Sequence, residues 1–118
     1  KPLGFHDYIN LQIHANSTLS DSGTITEEAS ILNLCAITIR NSHERPEGSD
    51  AGTLMMSGLS KERVLDILSV TLEHHNKSNR EFSIIEDYKD VNTSKKILRT
   101  VLSHIDYVNS NIWKKKID

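Results

Sequence analysis

Two stretches of the chain hold residues whose types and spacing could do chemistry. The first is Ser20-Asp21-Ser22-Gly23-Thr24-Ile25-Thr26-Glu27-Glu28-Ala29. It reads as a strand end, a Ser-Gly turn and a helix start with two acids one turn in. The first turn of a helix has unsatisfied N–H groups and the positive end of the dipole, which suits a phosphate. An acid one turn further on lies within reach of a nucleotide's ribose hydroxyls. The second stretch is Arg40-Asn41-Ser42-His43-Glu44-Arg45-Pro46-Glu47-Gly48, which sends arginines and glutamates into a loop behind the next strand. Together they suggest a nucleotide-diphosphate pocket at the carboxyl ends of parallel strands.

Each of these residues also has a plainer reading. Ser22-Gly23 could be only a helix N-cap and turn. Glu27 and Glu28 favour the helix dipole from the first turn, and for Glu27 that solvent-facing reading is preferred. Arg40 can pair with Glu44, Arg45 and Glu47 can form a loop ion pair, and His43 can be a solvated loop residue. His74-His75 falls at a helix end, where a histidinium favours the dipole. No acid or cysteine stands at ligand spacing from that pair, so a metal site is rejected. Met55-Met56 reads as core, and Cys35 as buried packing. Lys114 to Lys116 reads as a helix C-terminus complementing its dipole.

The elements that must position these residues alternate. Helices are expected from Asp7 to Ala15, from Ser22 to Leu32, from Ser60 to about His75, and from Thr93 to Lys116. Thr24-x-x-Glu27 resembles a capping box, and Ser60 reads as an N-cap. Short strands are expected at Ser17 to Ser20, Cys35 to Ile39 and Thr53 to Ser57. Asn41 to Gly52 reads as a polar loop, and Asn76 to Asp90 as polar with an extended patch at Phe82 to Ile85. Ile97, Val101, Ile105, Val108 and Ile112 mark the apolar stripe of the last helix. Alternating strands and helices imply an α/β fold with a parallel sheet. Three strands are few for an open sheet, so the chain is expected to be the later part of a doubly wound domain.

Composition bounds the function. The chain has 118 residues, enough for one domain with a core. A net charge of −2 and 5% aromatic residues give no field for nucleic acid and no stacking platform. No apolar run approaches the roughly 18 residues of a membrane span. A single cysteine, Cys35, excludes an internal disulfide framework and fits a reducing compartment. No signal-peptide pattern is present. The chain opens at Lys1 and is expected to be a piece of something longer.

Ser22-Gly23 with Glu27-Glu28-Ala29, then Glu44-Arg45-Pro46-Glu47-Gly48, then Ala51-Gly52-Thr53, resembles the non-hydrolysing UDP-N-acetylglucosamine 2-epimerases. The likeness runs on through Gly58-Leu59 to Asp106-Tyr107-Val108-Asn109 and Trp113-Lys114-Lys115. Thr24 stands where the family has a second glycine, and Ser42-His43 where it has two threonines. These departures resemble a branch that makes N-acetyl-L-fucosamine-type nucleotide sugars for capsule or O-antigen.

The resemblance implies the C-terminal part of the second Rossmann-like domain of a two-domain, GT-B-like fold. Residues 1–105 would form the UDP-binding domain, and residues 106–118 the end of a helix crossing to an N-terminal domain outside this chain. The family inverts C2 of a UDP-N-acetylhexosamine by removing the C2 proton, eliminating UDP and adding it back to the other face. Ser22 and Gly23 match diphosphate-binding positions, and Glu28 matches the acid that grips the ribose. Tyr8 falls where an aromatic contacts uracil, and Arg45 matches a basic residue near the phosphates. Thr24, Arg40 and His43 are further candidates. The proton-moving residues would lie outside this segment, so no catalytic residue, metal or cofactor is expected within it. A cytoplasmic location, a homodimer of the full-length protein, and no nucleic-acid or membrane partner are the remaining expectations. Two alternatives stay open: half of a GT-B glycosyltransferase, or a non-catalytic nucleotide-sugar-binding module. Retaining glycosyltransferases often carry glutamates eight residues apart at this turn, and here Ser20 stands eight before Glu28.

Overall fold

The computed structural model describes residues 1–115. Three short parallel strands, β1 (Thr18–Ser20), β2 (Ala36–Thr38) and β3 (Met55–Met56), lie side by side in chain order. Thr18 pairs with Ala36, and Ile37 with Met55. Strands laid down one after another in one direction are the pattern of the second half of a doubly wound sheet. β2 is buried along its whole length, as expected of a central parallel strand. Helices α2 (Ile25–Leu32) and α4 (Lys61–His74) pack on the sheet, α1 (Phe5–His14) is joined to α2 through side chains, and α5 (Thr93–Tyr107) follows. The core joins Ile25 and Ala29 of α2 to Leu34, Ala36 and Leu54, with Leu32 at its margin.

The ends of these elements differ from the sequence expectation in ways that local bonding explains. Strand β3 keeps only two residues of the expected Thr53 to Ser57, because the Leu54 N–H and the Thr53 hydroxyl turn to the Gly48 carbonyl. The Asn41 to Gly52 loop contains a one-turn helix, α3 (Glu47–Asp50), entered through Pro46. Gly48 is buried where α3 meets α2; a Cβ there would lie 2.5 Å from Thr26 Cγ2. Ser60 caps α4 as expected, accepting from the Arg63 N–H at 3.2 Å.

The extended patch expected at Phe82 to Ile85 does not pair as a strand. Its polar groups go instead to the C-terminal end of α2. Arg80 donates to the carbonyls of Ser30 and Ile31, at 2.6 and 3.0 Å, and the Ile85 N–H donates to Ser30 Oγ. Helices leave their last carbonyls without intrahelical partners, and this strap supplies them. A 3₁₀ turn at Glu86–Tyr88 then brings Tyr88 back toward α3.

The last helix was expected to run on to Lys116. Its α-helical part ends at Tyr107, and a π turn covers Val108–Ile112. Lys114 has the left-handed φ of 52° that closes a helix, and the Lys115 ammonium sits 4.6 Å from the centre of the Trp113 ring. Lys116 lies outside the described residues. The apolar stripe of α5 is uncovered: Ile97 is 59% exposed, Val101 53% and Ile105 47%. The helix reaches away from the sheet and stretches the molecule to 65 × 34 × 29 Å.

A candidate nucleotide site at the strand ends

Because β1 and β2 are parallel, the segments leaving Ser20 and Thr38 emerge at the same end of the sheet. The turn from β1 into α2 is organised by Ser22. Its Oγ lies 2.9 Å from the Thr24 hydroxyl and accepts a long bond from the Thr24 N–H at 3.4 Å. The Ser22 carbonyl accepts from the Ile25 N–H, and the Gly23 carbonyl from the Thr26 N–H. The Gly23 N–H makes no hydrogen bond among the described residues. Thr24 already has helical dihedrals and its side chain caps nothing, so the expected capping box with Glu27 does not form. Ser22 takes the place at the helix entry instead.

Glu27 is drawn elsewhere, which corrects its reading as a water-facing acid. Arg45 reaches back from the second loop and donates from Nε to Glu27 Oε1 at 2.8 Å, while its Nη1 lies 3.9 Å from Glu44 Oε2. Glu27 Oε2 is buried without a hydrogen-bond partner among the described residues. The Arg45 guanidinium lies directly over Gly23. A Cβ on that residue would be 2.0 Å from Nη1 and 2.7 Å from Glu44 Oε2, so only glycine admits this approach. The turn thus sets a helix N-terminus under a guanidinium, a combination suited to an anion with two or more charged oxygens.

The remaining loop charges are paired. Arg40 donates to Glu44 Oε1 at 2.7 Å, the pairing anticipated from their spacing. That bond holds the Glu44 carboxyl below its usual range and pushes Arg40 up. Glu47 does not pair with Arg45 in a loop ion pair. Its Oε1 accepts from the Tyr88 hydroxyl at 2.6 Å. This bond is the main cause that lowers the Glu47 carboxyl, and burial first, then Glu47, pushes the Tyr88 phenol up. His43 is exposed, with Nε2 3.2 Å from Ser49 Oγ.

One helical turn into α2, Glu28 anchors a second group. Its Oε2 accepts from the Tyr8 hydroxyl at 2.9 Å and from Gln12 Nε2 at 2.7 Å. Gln12 Nε2 also lies 2.9 Å from the Tyr8 oxygen, as the i, i+4 spacing on α1 allows. Burial, then the bond to Glu28, raises the Tyr8 phenol above its ordinary value.

The structure therefore gathers Ser22, Gly23, Arg40, His43 and Arg45 around one cleft. Thr24 stands beside Ser22, and Tyr8 and Glu28 meet one turn deeper. Sequence reasoning missed Gln12, Tyr88 and the pairing of Glu27. Only Gln12 carried a signal, its position one turn after Tyr8 on the same helix. A larger cavity, of about 210 Å³, opens at the opposite ends of the strands between Leu34, Met55, His74 and Phe82. Neither arginine of the cleft reaches it. No group of three or more metal-ligating side chains occurs among the described residues.

The sequence model described as UDP-N-acetylglucosamine 2-epimerase matches residues 1–102. The chain belongs to this family. UDP-N-acetylglucosamine 2-epimerase of Bacillus subtilis is 30% identical over 107 residues, 91% of this chain and 28% of that protein. The Methanococcus maripaludis enzyme is 33% identical over 101 residues, 86% of this chain and 26% of that one. The structure of UDP-N-acetylglucosamine 2-epimerase from Rickettsia bellii superposes with a TM-score of 0.91 at 53% identity, over 98% of this chain and 31% of that one. The crystal structure of the Methanocaldococcus jannaschii epimerase in complex with UDP-GlcNAc and UDP superposes with a TM-score of 0.77 at 27% identity, over 87% of this chain and 27% of that one. The chain thus spans between a quarter and a third of the length of these epimerases. Its parallel sheet flanked by helices is part of their GT-B-like fold. No helix among the described residues is long and apolar enough to cross a membrane.

Proposed function

We propose that this chain is the UDP-binding portion of an enzyme that inverts C2 of a UDP-N-acetylhexosamine through elimination and re-addition of UDP. The observation that carries the reading is the Arg45 guanidinium held over the Ser22-Gly23 turn, with the Glu28 carboxylate one helical turn away. Ser22 and Gly23 receive the diphosphate on the helix N-terminus. Arg45 stabilises the charge that develops on the departing UDP, and Thr24, Arg40 and His43 border the same oxygens. Glu28 accepts from the ribose hydroxyls, because a carboxylate can take several donors at once. Tyr8 offers its ring to the uracil.

Proton transfer at C2 needs positioned acid and base groups on both faces of the sugar. These are assigned to a further domain, and α5 is the strut that reaches it, with residues 106–115 at its far end. The uncovered stripe from Ile97 onward supports that role. The product's place is proposed to be nucleotide-sugar supply for capsule or O-antigen, made in the cytoplasm by a homodimer. The test is to offer the intact protein UDP-N-acetylglucosamine in heavy water. C2 inversion with one solvent deuterium at C2 is expected. Inversion without deuterium at C2, or sugar transfer to an acceptor with no inversion, would overturn the reading.

A further inference from the structure

Gln12 is 6% exposed, yet it carries a polar side chain that the core has no use for. Its Nε2 lies 2.7 Å from Glu28 Oε2 and 2.9 Å from the Tyr8 oxygen. Its Oε1 is buried with no hydrogen-bond partner among the described residues. Flipping the amide would not relieve this, because it would set a carbonyl oxygen against the Glu28 carboxylate. A methionine would fill the same volume with no orphaned oxygen. What glutamine adds is a donor aimed at Glu28, held at the expense of its own acceptor.

The two donors on Glu28 land on the same oxygen. Tyr8 and Gln12 both bind Oε2, and Oε1 takes no hydrogen bond among the described residues. A carboxylate tied at one oxygen from two directions has a fixed rotamer and a fixed plane, so its other oxygen has a defined direction. We propose that Gln12 is a positioning residue for nucleotide recognition. With Tyr8 it locks Glu28 so that Oε1 meets the paired hydroxyls of a ribonucleotide, and it thereby sets the preference for ribose over 2′-deoxyribose. This rests on the ribose role given to Glu28 above and adds to it the residue that makes that role specific. Preorganising an acceptor before the ligand arrives removes the ordering cost from binding.

The experiment measures UDP, 2′-deoxyuridine diphosphate and pyrophosphate by calorimetry on the intact protein and on Q12M and E28Q. For Q12M, UDP affinity is expected to fall by about tenfold, as for the loss of one charge-assisted contact. The preference for UDP over its 2′-deoxy form is expected to shrink, and pyrophosphate to change by less than about twofold. A merely structural glutamine would move all three ligands together or none. Should Q12M fail to fold, Q12N reads the same ratios, since its amide is one methylene too short to reach Glu28. Equal losses for UDP and pyrophosphate in the Gln12 variant overturn the proposal. So does an unchanged ribose preference in that variant while E28Q loses it. If E28Q itself spares UDP, the ribose reading of Glu28 falls first, and Gln12 falls with it.

Discussion

Gly23 is the residue on which the candidate site turns. The backbone there is approached by the Arg45 guanidinium more closely than any side chain would allow. The atoms in the way are the far ends of two flexible side chains, Arg45 and Glu44, so G23A can fold by pushing them aside. It is expected to melt within about 2 °C of the parent, because no backbone contact is broken. Its affinity for both UDP and pyrophosphate is expected to fall by about tenfold or more, since the guanidinium no longer stands over the turn. Calorimetry beside a melting curve checks this, and a variant that binds pyrophosphate normally would remove Arg45 from the anion seat. Much of this was legible from residue types. The order of Ser22, Gly23 and Arg45 in the chain pointed to the turn and loop that the structure brings together, and the spacing of Glu28 placed it one helical turn on; the anion and ribose roles are the proposed ones. The role of Glu27 was not legible. An acid in the first helical turn is equally suited to the dipole and to water, and only the return of Arg45 from 18 residues away decides between them.

Among the elements, the strap from Asn76 to Asp90 does more than connect helices. Tyr88 binds Glu47 at the entry of α3 and so fixes the loop that carries Arg45. The bond depresses the Glu47 carboxyl below its ordinary value of 4.5, while burial first and then the same bond raise the Tyr88 phenol above its ordinary value of 10.0. A depressed carboxylate contributes stability that is fully present above about pH 4.5 and is lost as the pH falls through its folded value. A raised phenol contributes below about pH 10 and loses that contribution as the pH rises further. The contact therefore works between these limits. Y88F is expected to lower the melting temperature by about 2–4 °C at pH 7, and the difference is expected to shrink as the pH falls through the depressed Glu47 value. No difference at pH 7 would show that Tyr88 acts by packing alone, and one that persists undiminished in acid would show that its hydroxyl does not depend on the Glu47 charge. Sequence periodicity located α4 and its Ser60 cap, because both depend on neighbours in the chain. It gave an extended patch at Phe82 to Ile85 because local composition favours one. The actual bonds of that segment go to Ser30 and Ile31, about fifty residues back, which no local pattern records.

At the scale of the whole molecule, α5 is a helix whose apolar stripe is uncovered among the described residues. Exposed patches of that size on soluble proteins mark surfaces that meet a partner. The parallel sheet was predictable from the alternation of elements, but its strand order was not. The uncovered helix was predictable only in part, because periodicity tells that a stripe exists and not what covers it. The exposed residues begin at Ile97, well before the π turn at Val108–Ile112. If α5 is a strut to another domain, its removal should matter only when that domain is present. Truncation after Asn92 in the isolated 118-residue chain is expected to leave the melting temperature within about 2 °C, because α5 shields none of the core. The same cut should abolish whatever self-association the isolated chain shows. In the intact protein the cut is expected to lower the melting temperature by several degrees and to weaken the hold on UDP. Loss of many degrees in the isolated chain would instead make α5 part of this domain's own core. An intact protein indifferent to the cut would leave the helix without the partner assigned to it.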